Sequence, residues 1–124
     1  MAIAQLGGAY SYDTLQASAA KTATANGAVF YGPGGVKQWL VQVACTAVSG
    51  TNPTLDVKLQ HTIDGGTNWN DITGGAFTQL TATGVQLLNI TGPWSDACRI
   101  VYTIGGTATP TFTFSVKSFA RAGY

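Results

Sequence analysis

The chain has 124 residues, of which only 9% are charged, and its formal net charge is +1. A soluble domain usually carries about 25% charged residues, and repulsion between like charges helps to keep such domains apart. The composition therefore excludes the basic patch of a nucleic-acid-binding protein and favours a chain that sits against other protein. One domain is the expected number at this length.

The sequence carries no signal for membranes or secretion. No stretch approaches the roughly 18 apolar residues that a membrane span needs. Residues 1–7 lack the basic and long apolar segments of a secretory signal, so we expect the chain to be made and kept in the cytosol. In that reducing compartment Cys45 and Cys98 are expected to be small buried thiols.

The first 35 residues differ in composition from the rest. Small residues dominate positions 7–28, and Tyr10, Tyr12 and Leu15 are the bulky exceptions. Such a segment can bury little apolar area, so residues 1–35 are predicted to form an extended N-terminal arm or edge segment. A Gly- and Pro-rich turn at residues 31–35 leads into the predicted domain, residues 36–124.

Apolar and polar residues alternate along most of this domain. The alternation is clearest in four stretches: residues 39–47, 55–63, 98–104 and 112–116. Shorter runs are predicted at residues 69–72 and 77–80, separated by a glycine pair, and at residues 85–90, with a short helical turn near 91–97. Short alternating strands between turn signals predict an all-β fold, an antiparallel β-sandwich of jelly-roll type.

The sequence lacks the groups of residues that a catalytic site or a metal site needs. His61 is the only histidine and alternates with Leu59 and Ile63 on a predicted inward face, which indicates a hydrogen-bonded structural residue. Residues 64–71 lack the alternating acidic ligands and the distal Glu of a calcium loop. We therefore predict no catalytic residue, no cofactor and no metal, and interpret the chain as a protein other than an enzyme.

Residues 62–69, with the sequence TIDGGTNW, resemble the Asp-box, a β-hairpin motif of sialidase-type propellers. The carboxylate of Asp64 can accept bonds from turn N–H groups, while Gly65 and Gly66 permit positive φ. Trp69 can then pack over the hairpin. The resemblance implies a structural hairpin turn.

Exposed aromatic residues suggest an alternative, a carbohydrate-binding β-sandwich module for host-surface attachment. Trp39, Trp69 and Trp94 lie near strand starts or turns. A planar row of such rings would stack against sugars, although burial in the core is the commoner fate of aromatic side chains.

A second resemblance covers the middle third of the chain. Residues 53–72, PTLDVKLQHTIDGGTNWNDI, followed by FTQLTATG at 77–84, are similar to a pattern in small structural proteins of tailed bacteriophages. The resemblance implies a capsid decoration (cement) protein, a structural virion protein that binds the major capsid protein on the outside of the head. It also implies a β-sandwich, often a homotrimer, without catalysis. A tail or baseplate component is the alternative.

Such a protein would act through surfaces. Bulky residues of the arm, the first strand of the domain and the C-terminal tail are the candidates for a partner interface. These are Tyr10, Tyr12, Leu15, Trp39, Phe119 and Tyr124.

Overall fold

The computed structural model describes residues 10–121, and these residues form an all-β protein. No helix in this range is long and apolar enough to cross a membrane. A 3₁₀ turn covers Pro33–Gly35. The strands are β1 (Tyr10–Lys21), β2 (Ala25–Asn26), β3 (Phe30–Tyr31), β4 (Gln38–Thr62), β5 (Asn70–Ala76), β6 (Gly84–Asn89) and β7 (Ala97–Arg121).

Strands β4 and β7 are each 25 residues long and pair antiparallel from end to end. Both bend near the middle, where the register shifts between residues 49 and 54 of β4. Gly50 and Gly106 have φ values of 105° and 119° at these bends, a backbone region that glycine enters without a Cβ clash. The two bends fold the paired strands over and give the protein two layers.

The pairings define the strand order of each layer. In the first layer the order of neighbouring strands is β1, residues 112–121 of β7, residues 38–48 of β4, and β6. In the second layer β2 and β3 both pair with residues 97–102 of β7, and the order continues with β4 and then β5. With each long strand counted twice, this is the order of a jelly roll. The predicted all-β sandwich is confirmed.

The core lies between the layers and follows the predicted alternation. Tyr102 of the second layer meets Phe114 of the first, with ring centroids 5.4 Å apart. Cys45 and Cys98 are both buried and free. Desolvation, with a smaller effect of the Asp96 charge, raises the pKa of Cys98 to about 12. The largest fully buried side chains are Trp39, Phe30, Phe112, Phe114, Leu55, Leu59, Ile100, Val41, Val43, Val57 and Val116.

Some predicted details are wrong. The glycine pair at 74–75 lies inside β5 as a bulge, and residues 77–80 make only an isolated bridge, Leu55 to Leu80. Residues 91–97 contain no helical turn. The inward alternation of β4 ends before Ile63, which is 85% exposed because the hairpin turn begins there.

Strand β1 lies at the edge of the sheet and is ordered by β7 of the same chain. Phe30 of β3 is buried in the core. The boundary at residue 35 stays a prediction, and residues 1–9 and 122–124, including Tyr124, lie outside the described residues.

Candidate functional surfaces

The outer side of the first layer carries an apolar face, defined by Tyr10, Tyr12, Leu40, Leu87 and Phe119. Three of these residues share one cross-strand row, because Tyr12 pairs with Phe119 and Phe119 pairs with Leu40. Leu87 lies in the next row, opposite Gln42. A shallow groove of about 220 Å³ runs across these rows. Adjacent strands therefore present large apolar side chains to solvent.

Rings gather at the β1 end of the apolar face. The Phe119 ring lies 5.7 Å from that of Tyr10 and 5.2 Å from that of Tyr12, centroid to centroid. Tyr12 is 75% exposed. On β7 the small residues Ser118 and Ala120 face the core, whereas the large apolar Phe119 between them faces outward. This inverts the usual pattern of a solvated sheet, in which polar residues face water.

Two cations border the apolar face. Lys117 lines the groove, and the Arg121 guanidinium carbon lies 5.6 Å from the centre of the Phe119 ring. Within residues 10–121 the ion pair joins Lys58 to Asp71, away from the apolar face. Lys117 and Arg121 therefore have no carboxylate partner in this range. The border is therefore suited to acidic groups of a partner.

The structure separates the predicted interface residues. Tyr10, Tyr12 and Phe119 lie together on the apolar face, whereas Leu15 is half-buried and packs against the core. Trp39 is 0% exposed, so its assignment to a partner interface is wrong. Its side chain fills the core because the inward positions of β4 begin with it.

The predicted hairpin turn lies between β4 and β5. The Asp64 carboxylate accepts the Asn68 backbone N–H at 2.9 Å, the Asn68 side-chain amide at 2.8 Å and the Thr62 hydroxyl at 2.9 Å. Bonds from Asn68, and then the bond from Thr62, lower the pKa of Asp64. Gly65 and Gly66 have φ values of 74° and 94°. These positions match the local roles predicted for them.

A cleft of about 540 Å³ opens beside this hairpin. Tyr31 of β3 pairs with Ala97 of β7, and Arg99 lies two residues further along the same face. Arg99 stacks on Trp69, its guanidinium carbon 4.3 Å from the ring centre. The cleft is lined by Val29, Tyr31, Thr62, Ile63, Gly65, Gly66, Trp69, Asp96, Ala97 and Arg99.

A polar network fixes Arg99. Its Nε and Nη2 atoms donate to Gln60 Oε1 at 3.0 and 2.8 Å. Gln60 Nε2 donates to Asp71 Oδ1 at 2.9 Å, and Asp71 also pairs with Lys58. The hydrogen bonds from Gln60 and Lys58 lower the pKa of Asp71. Arg99 is thus held in one orientation at the cleft.

The predicted row of three tryptophans does not form. Trp39 is buried, and Trp94 packs against it with ring centroids 5.5 Å apart. The Trp94 indole N–H donates to the Pro33 carbonyl at 2.6 Å. Trp69 alone of the three lines the cleft, so any sugar-binding surface must be built differently.

His61 has a structural partner, as interpreted from the sequence. Its Nδ1 accepts the Ser95 backbone N–H at 3.0 Å. Within residues 10–121 no three His, Cys, Asp or Glu side chains gather closely enough to hold a metal ion.

Sequence reasoning missed the cleft because its walls are distant along the chain. Tyr31 and Arg99 meet through the pairing of β3 with β7, and no local pattern specifies that pairing. The one available signal is the outward position of Arg99 between Cys98 and Ile100, which marks it as a solvent-side residue.

The chain is similar to several solved protein structures at low sequence identity. No protein-family model matches this chain, and no curated protein matches it. The SPBc2 prophage-derived protein YomS is 13% identical, with a TM-score of 0.45, over 90% of this chain and 91% of that one. PirA is 11% identical, with a TM-score of 0.43, over 94% and 96%. CBM29_1, a family 29 carbohydrate-binding module from Piromyces equi, is 10% identical, with a TM-score of 0.45, over 88% and 90%.

Proposed function

We propose that this chain is a structural virion protein that binds the outside of a phage capsid and cements neighbouring capsid subunits, without catalysis. The observation that carries the proposal is the apolar face, where the exposed Tyr12 lies beside the half-buried Phe119 and Leu40, and the exposed Leu87 lies in the next row. A contiguous exposed apolar patch marks an interaction surface. The similarity of residues 53–72 to phage structural proteins supports the capsid as the partner.

The proposed partner of the apolar face is the major capsid protein. Lys117 and Arg121 border the face without carboxylate partners in the described range, which favours a capsid surface with acidic side chains around an apolar centre. Cementing needs no strong single contact. Many copies around a closed shell act together, and binding the shell but not its free subunits shifts assembly toward the shell.

Co-sedimentation with mature heads of the phage that encodes the chain tests this proposal. Wild-type protein is expected to pellet with heads, and the double variant Tyr12→Ser, Leu87→Ser to stay in the supernatant, because it removes two exposed apolar side chains from the face. Ile63→Ser, at an apolar residue outside the face that is 85% exposed, is the matched control and should pellet normally.

Two outcomes would overturn the proposal. One is a wild-type protein that fails to pellet with heads that lack it. The other is a double variant that pellets like the wild type. Pelleting with purified tails in place of heads would instead support a tail or baseplate component.

A further inference from the structure

We propose that the cleft lined by Tyr31, Trp69, Asp96 and Arg99 binds a neutral saccharide. The cleft belongs to the second layer and the hairpin, whereas the apolar face belongs to the outer side of the first layer. The inference therefore goes beyond the capsid-binding role and stands without it.

The size and lining of the cleft suit a small polar ligand. Its volume of about 540 Å³ lies within the range of roughly 300–1,000 Å³ typical of ligand pockets. Such pockets combine apolar walls with a few fixed polar groups. Here Tyr31, 52% exposed, and the aliphatic side chain of Ile63 supply apolar surface. Asp96 and Arg99 supply the polar groups.

Arg99 is a prepared hydrogen-bond donor. Gln60 Oε1 accepts the N–H of Arg99 Nε and one N–H of Arg99 Nη2, and Trp69 covers one face of the guanidinium. The N–H groups of Nη1 and the second N–H of Nη2 have no acceptor among residues 10–121. One N–H from each of these two nitrogens points the same way in the guanidinium plane, and the two together form a fork that can bind two neighbouring oxygen atoms at once. Adjacent hydroxyl groups of a sugar ring offer oxygens at this spacing.

Asp96 supplies the complementary acceptor. Its Oδ1 accepts the backbone N–H groups of Gly32 and Gly34 at 2.9 and 3.1 Å, which fixes the carboxylate beside the cleft. Its Oδ2 has no donor in the described part of the chain. Hydroxyl groups both donate and accept, so a saccharide can satisfy Asp96 and Arg99 together.

The charges of the cleft select against ionic ligands. Arg99 contributes one positive charge and Asp96 one negative charge, so the lining side chains sum to zero. A phosphate or carboxylate ligand would gain from Arg99 but be repelled by Asp96. A neutral ligand avoids the repulsion by Asp96, and its C–H face can pack on the Tyr31 ring. The observations therefore favour a neutral sugar over an acidic one.

A dense glycan array that carries both neutral and acidic glycans tests the inference, because multivalent display makes weak binding visible. Wild-type protein is expected to bind at least one neutral glycan well above the signal of Tyr31→Ala. With that glycan in calorimetry, Arg99→Lys should weaken binding at least tenfold. Lysine keeps the charge but loses the planar fork and the stacking on Trp69.

Tyr12→Ser, which changes an exposed tyrosine on the apolar face, is the matched control and should bind glycans like the wild type. Tyr31→Ala should still pellet with heads, so the two proposals fail independently. Thermal unfolding of each variant checks its fold. No neutral glycan above the Tyr31→Ala signal, preference for acidic glycans, or unchanged affinity in Arg99→Lys would each overturn the inference.

Discussion

Asp64 shows how one side chain can organise a turn. Its two carboxylate oxygens bind Asn68 twice and Thr62 once, while the Thr62 hydroxyl also accepts the Gly66 N–H at 2.9 Å. All three bonds to the carboxylate favour its charged form, which lowers the pKa of Asp64 below 3.8. A group whose pKa is lower in the folded state stabilises that state above its unfolded pKa.

This linkage predicts a pH-dependent effect of Asp64→Asn. At about pH 7 the variant should unfold at a lower temperature than the wild type, because the neutral amide binds the turn N–H groups less strongly. The difference should shrink as the pH falls below 3.8 through the lowered pKa, where the wild-type carboxylate takes up a proton. Thermal melts from about pH 7 to about pH 2 measure the gap. A gap that stays constant across this range contradicts the prediction.

Local residue patterns predicted this turn, but not what lies around it. Thr62, Asp64 and Gly66 are close in sequence and hold one another, so their spacing alone indicates a hairpin. The stacking of Arg99 on Trp69 joins residues far apart in the chain, and only the pairing of β7 with β4 brings them together. Local spacing carries no information of that kind.

At the scale of elements, the alternation of apolar and polar residues predicted the strands better than the glycines predicted the turns between them. Trp39, Val41 and Val43 face the core as predicted. Glycine, however, makes turns, bends and bulges alike. A Cβ on Gly74 would collide with the Thr91 hydroxyl, so close approach of another segment explains that glycine inside β5. Sequence alone shows the glycine but not the neighbour.

The bend of β4 gives a prediction at this scale. A Cβ on Gly50 would lie 2.7 Å from the Pro110 Cα, and its φ of +105° strains any other residue. Gly50→Ala should lower the free energy of unfolding by about 1–3 kcal/mol. Gly84→Ala in β6 is the control, since its Cβ would meet nothing within 4 Å. Chemical denaturation measures both, and equal stabilities of the two variants would contradict this account of the bend.

At the scale of the whole molecule, the folding over of the long antiparallel pair of β4 and β7 hides the inner faces of both layers, and β1 is the longest of the strands left at a sheet edge among residues 10–121. Among residues 10–121, β1 has a single neighbour, β7, so its other edge offers unpaired backbone groups. Residues 17–20 of this edge are small and exposed, without the lysines or prolines that commonly protect an edge strand. Such an edge is suited to pairing between copies of the chain.

We expect the homotrimer that the resemblance of residues 53–72 to phage structural proteins implies, with the β1 edge joining its copies and the apolar face left for the capsid. Light scattering should give three times 12.8 kDa, about 38 kDa, for the wild type. Ala17→Lys combined with Ala19→Lys should give a monomer, because it places charges along the pairing edge. Tyr12→Ser combined with Leu87→Ser should remain trimeric. A monomeric wild type, or a trimer lost only when the apolar face is changed, would show that the copies do not join at this edge.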